Sequence, residues 1–191
     1  MDRNNGVMLK EPAVALIELR SIARGVKTAD DMVKKAPVRL LEARTVCPGK
    51  YMILIAGEVA AVEESYRIGV STGAEMVVDE LFLPYASHQL IPAMQACAVV
   101  PKMEALGVVE TFTVASVILS ADSAVKAAGV TLIELRMANG LGGKSFYTMT
   151  GPLNELEAAI EAGVAIIKSA GTLVCREIIP NPSEDINLKL L

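Results

Sequence analysis

The sequence predicts an α+β fold, a tandem duplication of a ferredoxin-like βαββαβ domain, where "ferredoxin-like" describes topology and not iron. The first observation behind this is an internal repeat. Ile17-Glu18 recurs as Val109-Glu110, Ala29-Asp30 as Ala121-Asp122, Val33-Lys34 as Val125-Lys126 and Arg44 as Arg136, each 92 positions later. Gly49-Lys50 and Gly57 recur as Gly143-Lys144 and Gly151 at an offset of 94, and Leu83-Pro84 as Ile179-Pro180 at 96. An offset that grows by two residues at each of two loops is how duplicated domains drift, and two copies of this length each suffice for a small core. The second observation is that each copy reads strand, helix, hairpin, helix, strand. The third is composition: 191 residues, 52 % hydrophobic but only 4 % aromatic and without Trp, predict cores packed from Val, Ile, Leu, Met and Ala.

The copies are assigned to residues 12–95 and 105–184, with a linker at 96–104 marked by Pro101 and a tail at 185–191. Ala13 to Leu19 is an apolar run with Glu18 near its end and predicts a strand. Ser21 is placed to cap the next helix, in which Val26, Ala29, Val33 and Ala36 share one face and which Pro37 stops. Val38 to Val46 and Tyr51 to Ala56 flank a turn at Cys47, where Pro48-Gly49 supplies the bend. A second helix begins near Glu58, with Val59, Val62, Tyr66 and Val70 at helical spacing and Gly73 beyond its end. Met76 to Leu83 closes the copy as a strand, and Ser87 to Met94 predicts a short extra helix holding His88, the sole histidine. The second copy repeats the order as Leu106 to Phe112, Ala115 to Ala128, Val130 to Ala138, Ser145 to Thr150, Asn154 to Ala170 and Thr172 to Ile179. Both helices of a copy fall on one side of its sheet, which leaves the other face in need of a partner.

A net charge of −4 and a pI near 5.1 argue against a nucleic-acid partner, since phosphate binding needs a basic face. No apolar run approaches the roughly 20 residues of a bilayer span, and Met1 to Asn5 lack the apolar core of a secretion signal. Three cysteines far apart do not make a disulfide framework, so the chain is expected to be soluble, reduced and cytosolic.

Gly140-Leu141-Gly142-Gly143-Lys144-Ser145 invites a nucleotide-binding reading, but a P-loop needs Gly where Ala138 stands and a helix directly afterwards. Phe146 to Thr150 reads as a strand instead, so the segment is expected to be a glycine-rich turn. His88 has no metal-ligand constellation and is expected at a surface or interface. Glu18 and Glu110 each end a first strand and are expected to bond backbone or an arginine such as Arg20. Lys34 and Lys126 occupy equivalent helix ends, which fits either the helix dipole or a contact repeated by symmetry. Cys175 is expected in the core and Cys97 in the linker. Cys47 differs, because a hairpin tip is hard to bury. It is either a small residue in a turn or a thiolate placed for chemistry, which three identical chains around an axis would bring together as three.

The segments Val14 to Glu18, Ala29 to Ala36, Gly107 to Glu110, Ala121 to Ala128 and Gly142-Gly143-Lys144 resemble the signature of bacterial microcompartment shell proteins. The resemblance spans about Ala13 to Pro182 and is nearest the unpermuted tandem-domain, trimer-forming class of propanediol-utilisation shells. It implies a homotrimeric, pseudohexameric tile that packs with other shell proteins around enzymes in the bacterial cytoplasm, with no catalytic role of its own. Thr45, Val46, Cys47, Pro48, Gly49 and Lys50, with Asn139, Gly140, Leu141, Gly142, Gly143 and Lys144, match the turns that line the family's pore. Lys34 and Lys126 match its tile-edge lysines. Cys47 matches a cysteine that binds one [4Fe–4S] cluster per trimer through three thiolates, for electron transfer across the shell or redox sensing. The alternatives are a metal-free pore for small metabolites, or a trimeric nucleotide-sensing module. The family's Pro-Arg-Pro-His segment appears here as Pro84-Tyr85-Ala86-Ser87 and Pro180-Asn181-Pro182-Ser183, so its arginine is missing from both copies.

Overall fold

The structure, a computed structural model, describes residues 12–100 and 103–186. The expectations for Met1 to Asn5, for Pro101 and for residues 187–191 of the tail lie outside the described residues. The first copy consists of β1 (Ala13–Leu19), α1 (Ile22–Lys35), β2 (Arg39–Val46), β3 (Lys50–Gly57), α2 (Val59–Gly73) and β4 (Val77–Leu83). A short helix α3 (Leu90–Met94) follows, and His88 precedes it rather than lying within it. The second copy is β5 (Ala105–Thr111), α4 (Val114–Ala127), β6 (Thr131–Met137), β7 (Ser145–Gly151), α5 (Leu153–Lys168) and β8 (Leu173–Ile179). The sheets are antiparallel with orders β2-β3-β1-β4 and β6-β7-β5-β8, the ferredoxin-like topology twice over. Even the register irregularities repeat, at Leu40/Glu42 and Leu132/Glu134, and at Glu18/Leu19 and Glu110/Thr111.

Local chemistry explains the element ends. Ser21 caps α1 by accepting the Arg24 N–H at 3.3 Å, and Thr113 caps α4 by accepting that of Ser116 at 3.2 Å. Lys34 and Lys35 in the last turn of α1, and Lys126 in that of α4, complement the helix dipole. Pairing of Val46 with Lys50 and of Met137 with Ser145 closes the two hairpins.

Alternation along the strands sorts the side chains onto two faces. Ala13, Ala15, Ile17 and Leu19 pack with Ile53, Ile55, Met32 and Val62 beneath α1 and α2. Val14 and Leu16, with Met52, Leu54 and Ala56, point the other way and join the core that contains Val114, Val117, Ile118 and Ala121 of α4. The open face of the first sheet is therefore covered by the second domain, and β1 is buried along its whole length. The face expected for α1 needs correction. Its buried residues are Gly25, Thr28, Ala29 and Met32, whereas Val26 and Val33 are exposed. The stripe read from Val26 and Val33 is apolar, but it lies beside the strip that meets the first sheet.

Glu18 fastens this junction. It is wholly buried, and its carboxylate accepts the Lys50 ammonium at 2.6 Å and the N–H of Val114, the first residue of α4, at 3.3 Å. Backbone bonding was expected, but the cation is Lys50 rather than Arg20. Glu110 repeats the arrangement with Lys144, again a lysine at the end of the hairpin turn. Elsewhere the second domain packs with little tolerance. A Cβ on Gly163 of α5 would lie 2.7 Å from the Ser120 backbone O and 2.9 Å from the Tyr147 hydroxyl, itself hydrogen-bonded to Ser120 Oγ at 3.1 Å. Burial pushes the Tyr147 phenol up to about 12.

Two stability measurements check these points. Lys50→Met strands the buried Glu18 charge and is expected to cost about 3–5 kcal/mol in urea unfolding. Adding Glu18→Gln should recover much of it, because the amide oxygen still accepts the Val114 N–H. Gly163→Ala is expected to destabilise by about 1–3 kcal/mol, outweighing the roughly 1 kcal/mol of helix propensity that alanine contributes.

Candidate functional site

The two hairpin turns are close neighbours. In the first, Gly49 donates its N–H to Val46 O at 3.0 Å and holds φ at +86°, a conformation that favours glycine. The Cys47–Pro48 peptide is cis, and Cys47 is half-buried. In the second, Lys144 donates to Leu141 O at 3.1 Å, and positive φ angles at Ala138, Gly140, Gly142 and Gly143 coil the longer turn. A strand, β7, follows this turn, which bears out the reading against a P-loop.

Backbone atoms join the turns. Cys47 donates its N–H to Ala138 O at 3.2 Å, and Arg44 Nη2 donates to Met137 O, also at 3.2 Å. A Cβ on Gly143 would sit 3.3 Å from both Cys47 O and Pro48 Cδ, and φ is +93° there, so both space and conformation favour glycine. Thr45 to Lys50 and Asn139 to Lys144 are thus brought to one end of the domain junction, with the two Glu–Lys pairs beside them. An open cleft of about 310 Å³ borders the turns between Glu42, Arg44, Arg136, Asn139, Leu141 and Phe146. Arg44 Nη1 is buried there without a hydrogen bond, while its Nε donates to Glu42 at 2.9 Å.

The remaining predicted residues lie elsewhere. Lys34 is exposed at the end of α1, and its hydrogen bond to Asp30 raises its pKa. Lys126, its counterpart, bonds both Asp122 and the Tyr85 carbonyl, so it bridges the two domains. His88 is exposed, as expected, and lines a second cleft of about 350 Å³ with Gln89, Val99 and Thr131. Cys97 is exposed after α3. Cys175 is not a core residue. It pairs across from Glu110 on the face of the second sheet that turns away from α4 and α5, and it is exposed. Among the described residues, no group of three or more His, Cys, Asp or Glu stands ready to hold a metal within one chain. No described helix is long and apolar enough to cross a membrane.

Sequence reading missed three junction residues. Asp122 is almost fully buried and accepts the Ser87 N–H at 2.7 Å. Gln89 finishes the exposed edge of β6 by donating to Val130 O at 3.1 Å and accepting the Leu132 N–H at 2.8 Å. The repeat held a signal for the first two, since Asp30 matches Asp122 and Ser183 matches Ser87. Gln89 had none.

Comparison with known proteins agrees with this architecture. The BMC domain family matches twice, at residues 13–86 and 105–182. The bacterial microcompartment shell protein PduT of Citrobacter freundii is 39 % identical over 174 residues, covering 91 % of this chain and 95 % of that one. The carboxysome assembly protein CcmO of Synechococcus elongatus is 27 % identical over 91 % of this chain and 67 % of its own. A crystal structure of a microcompartment protein from Desulfitobacterium hafniense superposes with a TM-score of 0.87 at 43 % identity, covering 92 % of this chain and 98 % of that one. A doubled domain, a shared sheet topology and full-length similarity to a shell protein lead to one conclusion: the chain belongs to the BMC-domain family and is a shell protein of a bacterial microcompartment in the cytoplasm.

Proposed function

We propose that the protein is a homotrimeric, pseudohexameric shell tile whose central turns carry a redox group on Cys47, with no enzymatic activity of its own. One observation carries the assembly. Helix α4 buries Val114, Ala115, Ser116, Ile118 and Asp122 in addition to the strip that faces its own sheet. The corresponding residues of α1 are Ile22, Ala23, Arg24, Val26 and Asp30, and none of them is buried. Val114 and Ile118 are 0 % exposed, whereas Ile22 and Val26 are 46 % and 54 % exposed. On the other side, the second sheet shows Cys175, Glu177 and Ile179 where the first sheet's face meets α4. Each chain thus has one half of the internal junction on α1 and the complementary half on its second sheet. A head-to-tail contact of this kind closes into a ring when its rotation allows, and three chains give six domains.

In such a ring the Cys47 turns would come round to the axis once per chain. The donor set suits an iron–sulfur group built by symmetry: a single half-buried cysteine per chain, with Cys97 and Cys175 on other parts of the fold. Three Cys47 thiolates would hold the cluster, leaving one iron to a non-cysteine ligand, and the cluster would supply one-electron transfer. The chain's own contribution is positioning. The Cys47 N–H bond to Ala138 O ties the cysteine to the second turn, and glycine at 143 lets that turn approach. Electron transfer across the shell, or sensing of redox state, is the use that fits a thiolate in a turn with no acid–base partner in the described structure.

Two results are expected. The protein should have about three times the chain's 20.2 kDa in solution and form sheets or tubes by electron microscopy. Purified without oxygen, it should be brown with about four irons per three chains, and show a cluster EPR signal after reduction with dithionite. Cys47→Ser should lose colour and iron while keeping the trimer. A colourless, iron-free trimer would instead leave a metal-free pore, and a monomer would end the tile reading.

A further inference from the structure

We propose that, in the tile, each copy is latched to the next by Asp30 and Lys34, which grip the main chain of the neighbour's Asn181-Pro182-Ser183 segment. This rests on the head-to-tail assembly above. Its warrant is a contact that the chain already makes within itself. Asp122 accepts the backbone N–H of Ser87 at 2.7 Å, and Lys126 bridges Asp122 to the backbone carbonyl of Tyr85. The Asp122 side chain is 6 % exposed as a result.

Every group in that contact has a counterpart. Asp30 and Lys34 stand 92 residues before Asp122 and Lys126, and Asn181 and Ser183 stand 96 residues after Tyr85 and Ser87. In the single chain these counterparts are on the surface. The Asp30 side chain is 53 % exposed and Lys34 70 %, bonded to each other, and Asn181 and Ser183 are exposed beyond β8. They belong to the same two surfaces as Ile22 and Val26 of α1 and Ile179 of the second sheet, which are exposed. Seating α1 of one copy on the second sheet of another, as α4 sits on the first, brings Asp30 to the Ser183 N–H and Lys34 to the Asn181 carbonyl.

The segment is read through its main chain. The in-chain latch uses a backbone N–H and a backbone C=O, so replacement of Tyr85 by Asn and of Ala86 by Pro between the copies leaves both groups in place. A proline at 183 would not, because it has no N–H. Lys34 thereby acts inside the tile, between its chains, in addition to any contact at the tile edge.

The test compares the wild type with Asp30→Ala, Ser183→Pro and Lys27→Ala by measuring mass across a dilution series. Lys27 is an exposed lysine of the same helix, paired with Asp31, and controls for loss of surface charge. Asp30→Ala and Ser183→Pro should each dissociate at a concentration at least about tenfold higher than wild type, because each removes a hydrogen bond to a charged group. Lys27→Ala should match the wild type. Variants of both latch residues that dissociate like the wild-type trimer would overturn the latch and leave the tile standing. A wild-type chain that never assembles would overturn both. Ser183 lies beyond the last strand, so Ser183→Pro decides the matter if Asp30→Ala fails to fold.

Discussion

A sheet with helices on one side only leaves an apolar face that water does not tolerate. In the first domain that face, built on Val14, Leu16, Met52 and Leu54, lies in one core with helix α4 of the second domain. Glu18 sits at the contact, its charge met by Lys50 and by the first amide of the helix. Burying a carboxylate costs several kcal/mol unless it is paired and hydrogen-bonded, so this pairing is a condition of the junction and not an addition to it. The relative position of the two domains follows from this contact, and so does the meeting of the two hairpin turns.

The same packing explains why the halves of a duplicated chain differ. Helices α1 and α4 share a register, a polar cap and a basic last turn, yet α4 is buried on two sides and α1 on one. The difference is already marked in composition, with Arg24, Lys27 and Lys35 in α1 where α4 has Ser116, Leu119 and Ala127. It arises because one junction is internal to the chain and its counterpart is not. An apolar stripe such as Ile22 and Val26 on an otherwise charged helix is what an interface awaiting a partner looks like.

Much of this was legible in the sequence. The offsets of 92, 94 and 96 locate both domains and both irregular loops, and the apolar run Ala13 to Leu19 is a strand with the bounds first read. The strand readings elsewhere fall within about two residues of the observed ends. The failures share one cause. Val26 and Val33 share a helix face with the buried Ala29 yet are exposed, and Cys175 sits in an apolar strand, which reads as core, yet is exposed. Periodicity tells which residues share a face, but not which body covers it. The same limit hid the backbone partners of Asp122 and Gln89, which lie 35 to 43 residues away. The Glu18–Lys50 pair was half visible: a strand-end carboxylate needs a partner, but only the fold brings the turn lysine within 2.6 Å.

Duplication also gives the chain a freedom that a ring of six identical domains lacks. With identical domains, a cysteine in the turn would be repeated six times about the axis, and six thiolates in one narrow ring would repel one another. Here the first turn carries Cys47 and the second carries glycines, with Gly143 against Cys47 and Pro48. In the proposed tile this alternation supplies three thiolates instead of six, separated by glycine-rich turns. Three protein ligands and one open position would make a site that holds a cluster while leaving one iron accessible. The asymmetry between the turns is therefore of the same kind as that between α1 and α4. In each case the two copies keep one architecture and divide the work.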